Sequence, residues 1–186
     1  APMALGYSSV GKIISVGDSV QHFQQGDRVV SNGAHAEFVA VSKNLASKIP
    51  DTVADEDAVF TVIASIALQG VRLQDPKIGE TIVVYGLGLV GLITCEILVA
   101  NGCSVIGIDL NDDRLKLAGK IGVTVINGKH KAKIDQLVLS LTNGQGADGV
   151  VITTATQSNT VIKISAGICR KLGKITLVGI AGLNLN

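Results

Sequence analysis

The sequence predicts an α/β molecule in which a doubly wound parallel sheet follows a smaller, β-rich region. Three observations carry that expectation. From Ile78 onward, short apolar runs alternate with segments of helical length. The runs Ile82-Val83-Val84 and Val150-Val151-Ile152 are apolar on both faces, as strands covered from both sides must be. Residues 1–50 instead hold brief apolar runs broken by Gly and Asp turns, with no room for a long helix.

Taken in order, Val10–Val16, Arg28–Ser31 and Ala36–Val41 read as strands. Asp51-Thr52 reads as a helix start, with Asp55, Glu56 and Asp57 close behind it and apolar residues following. Strands are then expected at 81–85, 104–109, 123–127, 148–152 and 174–178, and helices at 88–101, 112–121, 131–142 and 157–171. Asn111 is placed to cap the second of these helices and Gly173 to end the last. The expected domains are a β domain over 1–50, a connecting helical region over 51–77 and a dinucleotide-binding domain over 78–186. Five strands are one short of a six-stranded sheet, so the chain reads as a fragment of a longer polypeptide.

Composition narrows the function classes. The 186 residues are 47 % hydrophobic and 17 % charged, which excludes a disordered chain. The net charge is +1 and there is no Trp, so nucleic acid is not expected as a partner. Between Thr81 and Ile108 the only charge is Glu96, a stretch long enough to span a bilayer. Gly86, Gly88, Gly91 and Asn101-Gly102 break it into strand, turn, helix, turn and strand, so no membrane partner is expected either. Cys95, Cys103 and Cys169 form no CxxC pair, and the first residues lack the pattern of a signal peptide. Buried thiols in the cytoplasm are the expectation.

The strongest motif is Gly86-Leu87-Gly88-Leu89-Val90-Gly91. It follows a strand and opens a helix, the context a dinucleotide requires. Gly86 permits the tight turn, Gly88 lets the backbone approach a pyrophosphate, and Gly91 lets the helix pack on the strand. Leu89 and Val90 belong to the same candidate set, because the helix start presents free N–H groups to phosphate. Asp109 ends the next strand, where a carboxylate accepts hydrogen bonds from the adenosine ribose and repels a 2′-phosphate, favouring NAD over NADP. Arg114 can reach over the adenosine or face solvent. Thr153, Val178 and Gly179 lie at the carboxyl ends of the last two strands, facing the same crevice. A doubly wound fold without a dinucleotide, or a site for FAD or S-adenosylmethionine, stays open at this point.

With the β region included, the chain resembles the medium-chain dehydrogenase/reductase superfamily, the relatives of zinc alcohol dehydrogenase. Gly6-Tyr7-Ser8-Ser9-Val10-Gly11-Lys12-Ile13 is similar to the family's GHExxGxV segment. Val16-Gly17, Gly26-Asp27-Arg28-Val29, Ala36-Glu37-Phe38-Val39 and Ile49-Pro50 follow as its next landmarks. The resemblance implies a Rossmann domain preceded by a partial GroES-like domain. The phrases LGYSSVGK, IALQGVRL and GLGLVGLIT further resemble the dehydrogenase half of bacterial two-domain oxidoreductases of sugar metabolism. That likeness implies a downstream oxidoreductase domain in the same polypeptide.

The departures bear on chemistry. The family's catalytic His corresponds to Tyr7, the neighbouring Glu to Ser8, and the last zinc ligand falls near Val62. The four-Cys structural zinc lobe has no counterpart between Val30 and Ala36. No metal is therefore expected, since a catalytic zinc needs three protein ligands. Tyr7 and Ser8 become the catalytic candidates, as donors to a carbonyl or as packed residues. Ser9 reads as a turn or strand residue, and His22, His35 and His130 as loop histidines. Lys163 and Lys171 read as the solvated face of the last helix. The expected function is an NAD-dependent, zinc-independent oxidoreductase passing hydride between nicotinamide and a small alcohol or carbonyl, with a sugar derivative as one candidate. The alternative is a non-catalytic NAD-binding or scaffolding half of a larger enzyme. A homodimer is expected through the free edge of the last strand.

Overall fold

The computed structural model describes residues 6–180. They divide into two compact units, one ending at Ser65 and the other beginning at Ile66.

The first unit carries a three-stranded antiparallel sheet of β1 (Ser9–Lys12), β2 (Arg28–Ser31) and β3 (Ala46–Lys48), with β2 in the centre. Val30, Ile49 and Ala58 form its small core, against which Val10, Val53 and Val62 pack. Three sequence expectations differ here. The first strand stops at Lys12 instead of running to Val16. Ala36–Val41 is not a strand: it pairs with no strand of the sheet, and Phe38 is 67 % exposed. Its place against β2 is taken by Ala46–Lys48, a segment with no strand-like pattern. The helix expected from Asp51-Thr52 instead begins with α1 (Asp55–Ala58), after a turn. Its first turn holds Asp55, Glu56 and Asp57, which favour the positive end of the helix. Arg28 then ties β2 to that turn, 2.5 Å from the Asp55 carboxylate. The longer helix α2 (Thr61–Gln74) follows.

The second unit is the doubly wound sheet. Its strands are β4 (Thr81–Tyr85), β5 (Ser104–Asp109), β6 (Thr124–Asn127), β7 (Ala147–Ile152) and β8 (Cys169–Leu177). All pair in parallel, in the order β6-β5-β4-β7-β8. The crossovers are α3 (Leu89–Ala100), α4 (Asp112–Lys120), α5 (Lys131–Leu141) and α6 (Thr160–Ile168). Strand residues alternate between two cores. Ile82 and Val84 join Val71, Leu98 and Leu115 from α2, α3 and α4 on one face. Val83 and Tyr85 join Ile134, Val138 and Ile168 from α5 and α6 on the other. Asn111 caps α4 as expected, its side-chain oxygen accepting from the amides of Asp113 and Arg114.

The last helix is shorter than its sequence pattern. It ends at Ile168, and Cys169 is already extended (φ −82°, ψ 135°) and paired with Ala147. Gly173 therefore lies inside β8 and Lys171 lies on a strand. Pairing with β7 overrides the helical period of 157–171. Strand β8 makes an irregular start: Ala147 faces Cys169 but Gly149 faces Lys174, so three extra residues loop out around Leu172, which has φ 62°. No helix among the described residues is long and apolar enough to cross a membrane.

Candidate functional site

The sheet reverses its order at β4, so the crevice at the carboxyl end of β4 is where a doubly wound fold places its ligand. The loop Gly86–Gly88 leaves β4 at that point, and Gly88 is the N-cap of α3. Gly86 of the loop, Gly91 of α3 and Gly88 between them have different neighbourhoods. Gly86 has φ +101°, and a Cβ there would meet the Thr154 backbone. A Cβ on Gly91 would strike the Gly86 carbonyl oxygen. At Gly88 nothing lies within 4 Å of where a Cβ would stand. The first two glycines serve packing, while the third leaves open space at the start of a helix. The first intrahelical bond runs from the Leu92 amide to the Gly88 carbonyl, so the amides of Leu89, Val90 and Gly91 point outward from the helix start. Open space beside free amides and a positive helix end fits a pyrophosphate.

Asp109 ends β5 and is 8 % exposed. Its Oδ2 accepts from the Leu87 amide at 2.6 Å and its Oδ1 from the Asn111 amide at 2.8 Å. Arg114 Nη1 stands 3.7 Å from Oδ2. Each oxygen keeps a lone pair for a ribose hydroxyl, so the carboxylate fits a dinucleotide as well as holding the loop. Tyr85 is buried close by; burial, and then the Asp109 charge, push its phenol above the ordinary range. Thr153 lies beyond β7, and its hydroxyl donates to the Gly86 carbonyl at 2.5 Å. The amides of Val178 and Gly179 both donate to the Ile152 carbonyl, and the Val178 side chain rests against Gly70 of α2. The structure thus brings Gly86, Gly88, Leu89, Val90, Gly91, Asp109, Arg114 and Thr153 to one strand-end cluster. The Leu87 amide as a partner of Asp109 is not legible in the sequence, because a backbone donor has no residue type.

In the first unit, the Ser8 hydroxyl donates to the Val59 carbonyl at 2.5 Å. Tyr7 is 52 % exposed. Ser9 sits in β1, its hydroxyl 3.1 Å from that of Ser31. The His35 imidazole packs over Gly6, within 3 Å of where a Cβ would stand. The two positions at which the resemblance puts zinc ligands, Tyr7 and Val62, do not fit that ion: zinc takes Cys, His or carboxylate ligands, and Val62 has no donor atom at all. Among the described residues no three His, Cys, Asp or Glu side chains come together to hold a metal.

Residues 90–186 match the family model described as zinc-binding dehydrogenase, and residues 1–51 match the alcohol dehydrogenase GroES-like domain. The chain belongs to the zinc-type medium-chain alcohol dehydrogenase superfamily. Among its medium-chain relatives, (R,R)-butanediol dehydrogenase of Bacillus subtilis is 26 % identical over 87 % of this chain and 57 % of its own. D-guloside 3-dehydrogenase of Escherichia coli is 32 % identical over 81 % of this chain and 44 % of its own. A mycobacterial protein solved in complex with NADPH superposes with a TM-score of 0.83 at 28 % identity, covering 94 % of this chain and 56 % of that one. The chain thus spans about half the length of the medium-chain dehydrogenases it matches.

Proposed function

We propose that this chain belongs to an NAD-dependent dehydrogenase that works without catalytic zinc on a small alcohol or carbonyl, a polyol or sugar derivative being the favoured class. The observation that carries the reading is Asp109, a carboxylate at the end of β5 within 2.6 Å of the glycine loop. The dinucleotide, when bound, supplies the group that accepts or gives hydride. The chain binds its pyrophosphate with the Leu89, Val90 and Gly91 amides, orients its adenosine ribose with Asp109, and flanks it with Arg114. Val178 and Gly179 complete the crevice wall at the end of β8. The names of the butanediol and guloside relatives support a secondary alcohol as substrate.

Without zinc, the substrate oxygen needs a hydrogen-bond donor. Tyr7 is the better candidate, because the Ser8 hydroxyl already spends its proton on Val59. The second reading, a non-catalytic NAD-binding half beside a downstream domain, is favoured by Val62 standing at a ligand position. Tyr7→Phe and Ser8→Ala in the longest polypeptide carrying this chain separate the two. A fall in turnover of about tenfold or more for Tyr7→Phe alone supports catalysis here, and unchanged turnover for both supports the scaffold. The free thiols of Cys95 and Cys103, both buried, support a reducing compartment such as the cytoplasm. The outer edge of β8 supports a homodimer.

The cofactor reading is tested by fluorescence titration of NADH and NADPH. NADH binding at least about tenfold tighter is expected, the ratio that ~1.4 kcal/mol of charge repulsion produces. Equal affinities would remove Asp109 as the selecting group.

A further inference from the structure

We propose that Asp109 and Thr153 are positioning residues that hold the glycine loop in its phosphate-receiving shape, so that Asp109 sustains the binding of NADH and NADPH alike rather than only choosing between them. The consequence for binding rests on the cofactor reading above; the anchoring itself does not.

The loop is gripped from both neighbouring strands. From the β5 side, the Gly86 amide donates to the Ile108 carbonyl at 2.8 Å and the Leu87 amide donates to Asp109 Oδ2 at 2.6 Å. From the β7 side, Thr153 Oγ1 donates to the Gly86 carbonyl at 2.5 Å and reaches the Tyr85 carbonyl at 3.3 Å. Leu87 is fully buried in the core, so its amide cannot turn to water without pulling that side chain out. Gly86 at φ +101° has no side chain to fix its conformation, and its neighbours must do so. Removing the Asp109 carboxylate leaves a buried N–H without its charged acceptor, a loss larger than that of an ordinary hydrogen bond. The loop that relaxes is the part of the site common to both dinucleotides. Relief of 2′-phosphate repulsion is therefore set against loss of the pyrophosphate cradle.

The test combines dinucleotide titration with amide exchange of the ligand-free chain. Asp109→Ala is expected to weaken NADH about a hundredfold and NADPH about tenfold, and to speed exchange of the Leu87 amide at least about tenfold. Thr153→Val is expected to weaken both dinucleotides by the same factor of about ten, and Thr153→Ser, which keeps the donor, to restore both. NADPH binding that tightens in Asp109→Ala, with Leu87 exchange unchanged, overturns the proposal. So does a Thr153→Val chain that binds and exchanges as the parent does. If the parent binds neither dinucleotide, the cofactor reading fails, while faster Leu87 exchange in Asp109→Ala still supports the anchoring and unchanged exchange overturns it. Should Asp109→Ala not fold, the Thr153 pair decides by the same criteria.

Discussion

Glycine has two roles at the loop and helix start, close packing and open access, and substitution separates them. Gly88→Ala adds a methyl into open space, so the thermal midpoint stays within a few degrees while NADH binding is lost; calorimetry and titration on one sample check both. Gly91→Ala drives a methyl into the Gly86 carbonyl and is expected to cost about 1–3 kcal/mol in denaturant unfolding. Cysteine shows the opposite of reactivity. Burial, with the Glu96 charge adding, pushes the Cys95 thiol up to about 12. At pH 8 that thiol stays protonated, so iodoacetamide should label Cys95 only after unfolding, and labelling of the native chain would contradict its burial. At this scale the sequence was legible wherever a residue type carries the chemistry. Gly86, Gly88, Gly91 and Asp109 stand where spacing put them. The engagement of Ser8 with Val59 and of Thr153 with Gly86 was not legible, because both partners are carbonyls distant in sequence.

Elements meet at the amino end of the sheet through one ion-pair cluster. Asp148 of β7 accepts from the Thr81 amide of β4 at 2.7 Å and from Arg170 of β8 at 2.7 Å, and Arg170 also stands 3.8 Å from Glu80. Burial works to raise the Asp148 carboxyl, but the Arg170 and Thr81 hydrogen bonds outweigh it and hold the group below its ordinary value. The sign follows from linkage. A carboxyl lowered in the folded state contributes stability above its unfolded pKa, near 4, and loses it as pH falls through the folded value. Asp148→Asn should therefore destabilise the chain by about 1–3 kcal/mol at pH 7, with the difference from the parent shrinking below about pH 4 in acid unfolding curves. A difference that persists at low pH would mean the charge is not what matters. Elements buried on both faces were the legible ones: β4 and β5 begin and end at the expected residues. Ala36–Val41 and 157–171 misled because a strand is made by its partner. The first run has the right residues and no ladder, while Cys169 has helical neighbours and pairs with Ala147.

At the scale of the whole molecule, β8 closes one side of the described sheet order. Its Ile175 and Leu177 are each 38 % exposed, an apolar rim on the strand that ends the sheet order among the described residues. If that rim is the seam between two copies, Ile175→Lys should convert dimer to monomer in sedimentation equilibrium while NADH affinity stays as it was; a dimer that survives places the seam elsewhere. The other outer strand, β6, is short, and Lys129 beside its end pairs with Asp112. The irregular start of β8 has a further effect. A straight edge would let an incoming strand slide by a residue or two and still find partners. The looped-out turn around Leu172 acts as a stop, because no strand can lie flat across it. Anything that joins this edge beyond the turn meets Lys174 first, toward the glycine-loop end of the sheet.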